Sequence, residues 1–187
     1  MLNYNNILEK EKIFSDLKIE EVYPTMKLIL RGKKRDFLSA FGKSLNLLLP
    51  TVPNTSSANE KLTAIWLSPD EWMIFSNQTN KTKMEHNKIE KLLFNNISKT
   101  NLGAVVDVSD HFVLIKFSGN KIFELFETGS PFDFNNFKRK NGTVVQTIMA
   151  KCDVIIHNID KSNINLFVRS SFSKYLISWI SDSASRL

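Results

Sequence analysis

Residues 107–134, DVSDHFVLIKFSGNKIFELFETGSPFDF, constrain the fold of this chain more than any other stretch. From Phe112 to Phe117 apolar side chains follow one another with only Lys116 between them, so a strand here is apolar on both faces and has to be covered on both. Gly119 ends that strand. Ile122, Phe123 and Phe126 then share one face of a short helix, which Gly129 and Pro131 stop just after its last turn. A covered strand followed by an amphipathic helix implies a layered sheet-and-helix fold. The same residues offer almost nothing that does chemistry.

Elsewhere the pattern repeats. Residues 22–31 read as a strand, and Phe37, Leu38, Phe41 and Leu45 recur at helical spacing behind Asp36. Residues 50–60 (PTVPNTSSANE) lack periodicity and read as a loop. Residues 62–67 and 72–75 form a hairpin across Ser68-Pro69-Asp70-Glu71, Ile89, Leu92, Leu93 and Ile97 mark a helix over 83–97, and 104–108 read as a strand. That order, βαββαβ, is the split arrangement in which helices cover one face of an antiparallel sheet. In the second half, strands at 112–117, 144–151, 154–158 and 164–168 and the helix near 122–126 precede a last helix. This helix is read as capped by Ser170 or Ser171, with Phe172, Tyr175, Leu176, Trp179 and Ile180 as its stripe. The expectation is an α+β fold of two split βαβ (ferredoxin-like) halves with antiparallel sheets covered by helices. Residues 1–187 are read as a single compact unit, with an N-terminal extension at 1–20 and halves at 21–109 and 110–187.

Composition narrows the function. Hydrophobic residues at 42% and charged residues at 24% fit a globular chain, and 14 phenylalanines need a core or a partner to cover them. The net charge of +6 raises nucleic acid as a partner, but its densest clusters, Arg31 to Arg35 and Lys138-Arg139-Lys140, fall at element ends, where solvated basic turns are common. An RNA-binding α+β domain would also need exposed aromatics of one parity on its central strand, and Phe112 and Phe117 differ in parity. A single cysteine, Cys152, excludes an internal disulfide and a cysteine-built metal site. With neither a signal peptide nor a spanning segment in the pattern, the expected location is the cytoplasm, with no membrane partner.

Candidate chemistry is sparse. His86, His111 and His157 share no metal-ligand spacing and read as surface or structural histidines. Cys152 has only Lys151 beside it to activate a thiolate and reads as an inert thiol. Gly-Lys pairs such as those in RGKKRD and SGNKIF lack the paired glycines of a phosphate cradle. Asp70 and Glu71 are adjacent turn residues that point in different directions, so they make a poor acid and base pair. Catalytic, cofactor-binding and metal residues are therefore expected to be none. The segment 131–137, PFDFNNF, offers apolar anchors among polar residues, and the following turn is basic. Phe132, Phe134, Phe137, Lys138 and Arg139 are the candidates for docking a partner, against the plainer reading that the rings simply cover the sheet.

Five pieces recur in order: Ser68-Pro69-Asp70-Glu71-Trp72; Asp107-Val108-Ser109-Asp110 ahead of the strand ending at Ser118-Gly119; Ser130-Pro131-Phe132-Asp133; Gln146-Thr147; and Val168-Arg169-Ser170-Ser171-Phe172 leading to Tyr175, Leu176 and Trp179. In order and spacing they resemble the gamma subunit of heterotetrameric sarcosine oxidase, a relative of the folate-binding aminomethyltransferase domains. The resemblance implies a folate-binding aminomethyltransferase-like domain and a non-catalytic structural subunit. The whole enzyme would demethylate sarcosine oxidatively to glycine, pass the one-carbon unit to tetrahydrofolate and produce hydrogen peroxide. It implies partners, namely the alpha and beta subunits with delta a further candidate, that carry FAD, FMN, NAD and tetrahydrofolate. The alternative is a stand-alone folate-binding protein. Against it, the aminomethyltransferase motif places a glycine pair and an aspartate pair where this chain has Ala150-Lys151-Cys152-Asp153-Val154, and Asp153 reads as a turn residue.

Overall fold

The computed structural model describes residues 6–8, 10–23, 25–77 and 83–187, with 83–85 described by their backbone alone. In chain order the elements are β1 (Lys12–Phe14), β2 (Leu17–Glu21), β3 (Lys27–Arg31), α1 (Arg35–Leu45), β4 (Ser56–Ala58), β5 (Leu62–Ser68), β6 (Glu71–Ser76) and α2 (Lys83–Leu93), which a π-helical turn continues at Phe94–Ser98. There follow β7 (Ala104–Asp107), β8 (Phe112–Gly119), α3 (Ile122–Glu127), α4 (Phe134–Phe137), β9 (Thr143–Met149), β10 (Cys152–Asp160), β11 (Asn163–Arg169) and α5 (Ser170–Ala184). The fold is α+β with two antiparallel sheets. It divides into a continuous unit, Pro24–Ser109, and a discontinuous one made of Met1–Tyr23 and Asp110–Leu187.

The continuous unit has the strand order β4-β5-β6-β3-β7. Without β4 this is the split βαβ arrangement. Leu28, Leu30, Leu62, Ala64, Trp72 and Ile74 alternate onto one sheet face and pack against Phe37 and Phe41 of α1 and against Leu93 and Ile97. The first strand is shorter than expected, starting at Lys27; Pro24 lies outside the described residues. The buried Lys27 ammonium donates to the Thr25 carbonyl at 2.9 Å. The segment 50–60 is more than a loop: the Trp72 indole donates to the Pro50 carbonyl at 2.8 Å, and Ser56–Ala58 pairs with β5. Ser-Ser-Ala carries no apolar alternation, so nothing in its pattern marks β4. The helix over 83–97 closes with a wider turn, Lys99 N–H to Phe94 carbonyl at 2.9 Å, which buries Ile97 and leaves Phe94 exposed.

The discontinuous unit has the order β1-β2-β8-β11-β10-β9. Its β1 and β2 lie in the segment read as an N-terminal extension, and β2 pairs with β8 from Leu17 opposite Gly119 to Glu21 opposite Ile115. Leu17 and Ile19 alternate inward, while Lys18 lies outward at 2.7 Å from Glu11 and 2.9 Å from Glu20. Val113, Ile115 and Phe117 of β8 enter the core, and Leu114, of the other parity, is buried too, as the apolar run requires. The hairpin after β9 turns through two residues, Ala150 and Lys151, at φ 48° and 68°.

The last helix departs from its expected face. Ser173, Leu176, Ile177, Ile180 and Ala184 are buried, whereas Phe172 and Tyr175 are exposed. A cap by Ser170 or Ser171 is also absent: helix α5 starts at Ser170, whose hydroxyl donates to the Asp110 carbonyl at 2.6 Å. Trp179 is half-buried, and Gly129 exists as glycine because a β-carbon there would collide with the Trp179 ring.

Gly119 holds the join between β2 and β8. Its φ is +129°, and a β-carbon would run into the Asp16 carbonyl. That same carbonyl accepts from Asn120 N–H at 3.1 Å, so it cannot retreat without losing the turn. Gly119→Ala is expected to destabilise the chain by about 2–4 kcal/mol, read as a lower urea midpoint with unchanged slope.

Candidate functional site

The docking candidates sit where α3 hands over to β9. Gly129 and Ser130 N–H groups both bond the Phe126 carbonyl, at 3.2 and 3.0 Å, and turn the chain sharply. Asp133 then caps α4, its carboxylate accepting from Asn135 N–H at 2.9 Å. These two devices drive the phenylalanines inward. Phe134 is fully buried and Phe137 nearly so, among Phe123, Phe126 and Phe132, with ring centroids 5.0–6.4 Å apart and mostly edge-to-face. The plainer reading therefore describes Phe134 and Phe137, because a ring that fills this core cannot also enter a partner. Phe132 is half-buried against the same core. Phe134→Ala is expected to cost about 3–5 kcal/mol, and Phe134→Asp to prevent folding of the isolated chain, both followed by circular dichroism.

The basic turn stays outside and is held firmly. The buried Asn158 side chain donates to the carbonyls of Phe137 at 2.7 Å and Lys140 at 3.0 Å, and the Thr143 hydroxyl donates to the Lys140 carbonyl at 2.7 Å. Arg139 and Lys140 are exposed and Lys138 is half-buried. No salt bridge involves these three among the described residues.

Among the described residues the titratable groups do not assemble within either unit. His157 is buried on β10 with Nδ1 3.5 Å from the Asn165 amide, and burial pulls its pKa down to about 4. His111 is exposed, its ring edge-on to Phe112, and His86 belongs to α2 in the other unit. Burial pushes the Cys152 thiol up, with the Asp153 charge adding to it, which keeps it protonated and unreactive. Asp70 is held below its ordinary value by the Ser68 hydroxyl, with Arg31 at 3.3 Å and Lys33 at 3.7 Å adding to it, so it clamps the turn as a carboxylate. Among the described residues no group of three or more His, Cys, Asp or Glu is placed to hold a metal ion.

A neutral His157 has a consequence for stability. Its folded pKa lies below the ordinary 6.5, so the unfolded chain binds the extra proton between those values. The native state keeps the full benefit above about pH 6.5 and loses it as pH falls toward 4, a contribution of roughly 3 kcal/mol. A set of urea melts from pH 7.5 to 4.5 should show this decline in the wild type and a shallower one in His157→Gln.

Two surface cavities escaped the sequence reading. One, about 430 Å³, is lined by Phe112, Gln146, Ile148, Asp153, Phe167 and Arg169 among others. Asp153 is thus a residue of β10 opposite Ile148, and the turn is made by Ala150 and Lys151 instead. Strand parity alone would have grouped Phe112, Asp153 and Arg169, since strand pairing sets them on one face. The other, about 480 Å³, brings Lys43, Lys61 and Lys88 beside Asn46 and Asn59. Lys43 lies on α1, Lys88 on α2 and Lys61 just before β5, and no local motif joins them.

The sequence matches the family described as Sarcosine oxidase, gamma subunit family over residues 31–186. The chain belongs to that family. No curated protein matches by sequence. Among solved structures, heterotetrameric sarcosine oxidase from Corynebacterium sp. U-96, in complex with pyrrole 2-carboxylate, superposes with a TM-score of 0.80 at 18% identity, covering 91% of this chain and 84% of that one. The glycine cleavage system aminomethyltransferase T from Bartonella henselae follows with a TM-score of 0.62 at 14% identity, over 89% of this gamma-subunit family member but 45% of that protein. At these identities the two structures show the shared fold. It is the aminomethyltransferase-like fold that the five sequence pieces implied. No helix among the described residues is long and apolar enough to cross a membrane.

Proposed function

We propose that this chain is a non-catalytic structural subunit of a heterotetrameric sarcosine oxidase. The observation that carries the reading is the family match over residues 31–186. The site chemistry is compatible with it: His157 is held neutral, Cys152 is held protonated, and the phenylalanines of the docking segment serve the core. In this reading the alpha and beta subunits, with delta a further member, hold FAD, FMN, NAD and tetrahydrofolate. The complex converts sarcosine to glycine in the cytoplasm, transfers the one-carbon unit to tetrahydrofolate and reduces oxygen to hydrogen peroxide. This chain contributes folded surface. Lys138 and Arg139, held on a fixed turn, face the partner, and Phe134 and Phe137 support that turn from beneath.

Coexpression with the neighbouring oxidase subunits tests this. The expected result is copurification with a flavin-containing protein, and loss of sarcosine-dependent peroxide production together with loss of complex integrity when this chain is omitted. Recovery of a lone monomer whose melting temperature rises with tetrahydrofolate, beside a fully active oxidase lacking it, would overturn the reading in favour of a stand-alone folate-binding protein. The fold shared with the aminomethyltransferase and the open cavity carrying Asp153 and Arg169 are what favour that second reading.

A further inference from the structure

The four outermost strands of the two sheets are not alike. β1 and β4 are three residues long, and β7 has four and ends in Asp107. Short or charged edges of this kind resist pairing with another chain. β9 is the exception: it spans seven residues, TVVQTIM, with no charge and no proline, and it stands at the end of its sheet with β10 as its neighbour. Its phase is set by the two-residue turn, which makes Met149 and Cys152 a hydrogen-bonded pair. Thr147 and Val145 then also bond β10, and the N–H and C=O groups of Val144 and Ile148 point away from the sheet. Those two residues have no backbone partner there among the described residues. Ile148 is also 46% exposed. Such an edge is a template for one more strand.

What would occupy it is decided by charge. Lys138, Arg139 and Lys140 stand before the strand and Lys151 stands directly after it, while Asp153 lines the cavity on the sheet face. Pairing β9 with β9 of a second copy sets basic residues against basic residues at both ends, whether the strands run parallel or antiparallel. Like charges in such positions oppose association. We propose that β9 receives an extended, uncharged segment of another subunit, flanked by acidic residues, as an added strand of the sheet. This rests on the subunit reading above and names the surface through which it operates. The Asn158 clamp keeps the basic turn in register with the strand, so steering and strand addition act on one rigid edge.

The test is amide hydrogen exchange on the wild-type chain, free and in the copurified complex, with a variant carrying Lys138→Glu, Arg139→Glu and Lys140→Glu. Exchange at Val144 and Ile148 is expected to slow at least tenfold in the complex, and the variant to recover at least tenfold less partner while its melting temperature holds. Ile148→Pro, which removes an outward N–H and no internal bond, should lose partner in the same way. Unchanged exchange in an intact complex, or full partner recovery by the charge-reversed variant, overturns the edge proposal and leaves the subunit reading standing. Protection of the same amides in the chain alone, as a homodimer, overturns it in favour of a second copy. If the wild type brings down no flavoprotein, the subunit reading fails and this proposal with it. Since the exchange measurement needs no substitution, the wild-type chain alone decides between these outcomes even where a variant does not fold.

Discussion

Ring-on-ring packing of Phe123, Phe126, Phe134 and Phe137, edge-to-face or tilted, is the interaction on which the discontinuous unit turns. Rings in this arrangement contribute about 0.5–1.5 kcal/mol per pair beyond the area they bury, and they are selective about angle. With the rings in place, α3 and α4 have little freedom against the sheet. The Phe137 carbonyl is then presented to Asn158, and through Asn158 the basic turn and the start of β9 are positioned. A buried cluster thereby sets the geometry of the exposed turn above it. Phe117, Phe123, Phe126, Phe134 and Phe137, five of the 14 phenylalanines of the chain, are buried in this core among many aliphatic side chains.

Much of this architecture is legible in the residues. The covered strand β8, the helix after it, the hairpin of β5 and β6 and the helices of the continuous unit all announce themselves by period, because each buries one face against a large partner element. The pattern fails where burial is decided from far away. Residues 12–20 read as part of an N-terminal extension, since Lys18 and Glu20 sit among their apolar neighbours; only pairing with β8 gives Leu17 and Ile19 an inside. β4 is held by backbone bonds and by Trp72, neither of which its own side chains reveal. On α5 the aromatic residues suggested the buried stripe, but Phe172 and Tyr175 stay exposed, Leu176, Ile177 and Ile180 are buried, and of the aromatics Trp179 alone reaches Gly129 among the described residues.

The candidate site was half legible for a related reason. Apolar residues between two turns read equally well as exposed anchors or as a core plug, and the choice depends on whether neighbouring elements leave a hole of that shape. Here α3 and the sheet do, and Phe134 fills it. Lys138 and Arg139 were readable as an exposed basic turn because charge so rarely enters a core without partners. The cavity around Asp153 and Arg169 was hidden by a misplaced turn of two residues, which is enough to move a side chain from loop to sheet face.

The interruption of the discontinuous unit by the continuous one has a consequence for synthesis on the ribosome. Chains fold by domain as they emerge, N-terminal parts first. Residues 1–23 leave the exit tunnel long before Asp110–Leu187 exists to receive them, whereas everything required by Pro24–Ser109 is then delivered in one piece. Pro24–Ser109 is thus the first part able to become native, and β1 and β2 wait for their sheet until β8 has been made. Because β9 is made after Pro24–Ser109 and after β8, a strand added to its outer edge, as proposed above, would join only once the continuous unit has already been delivered.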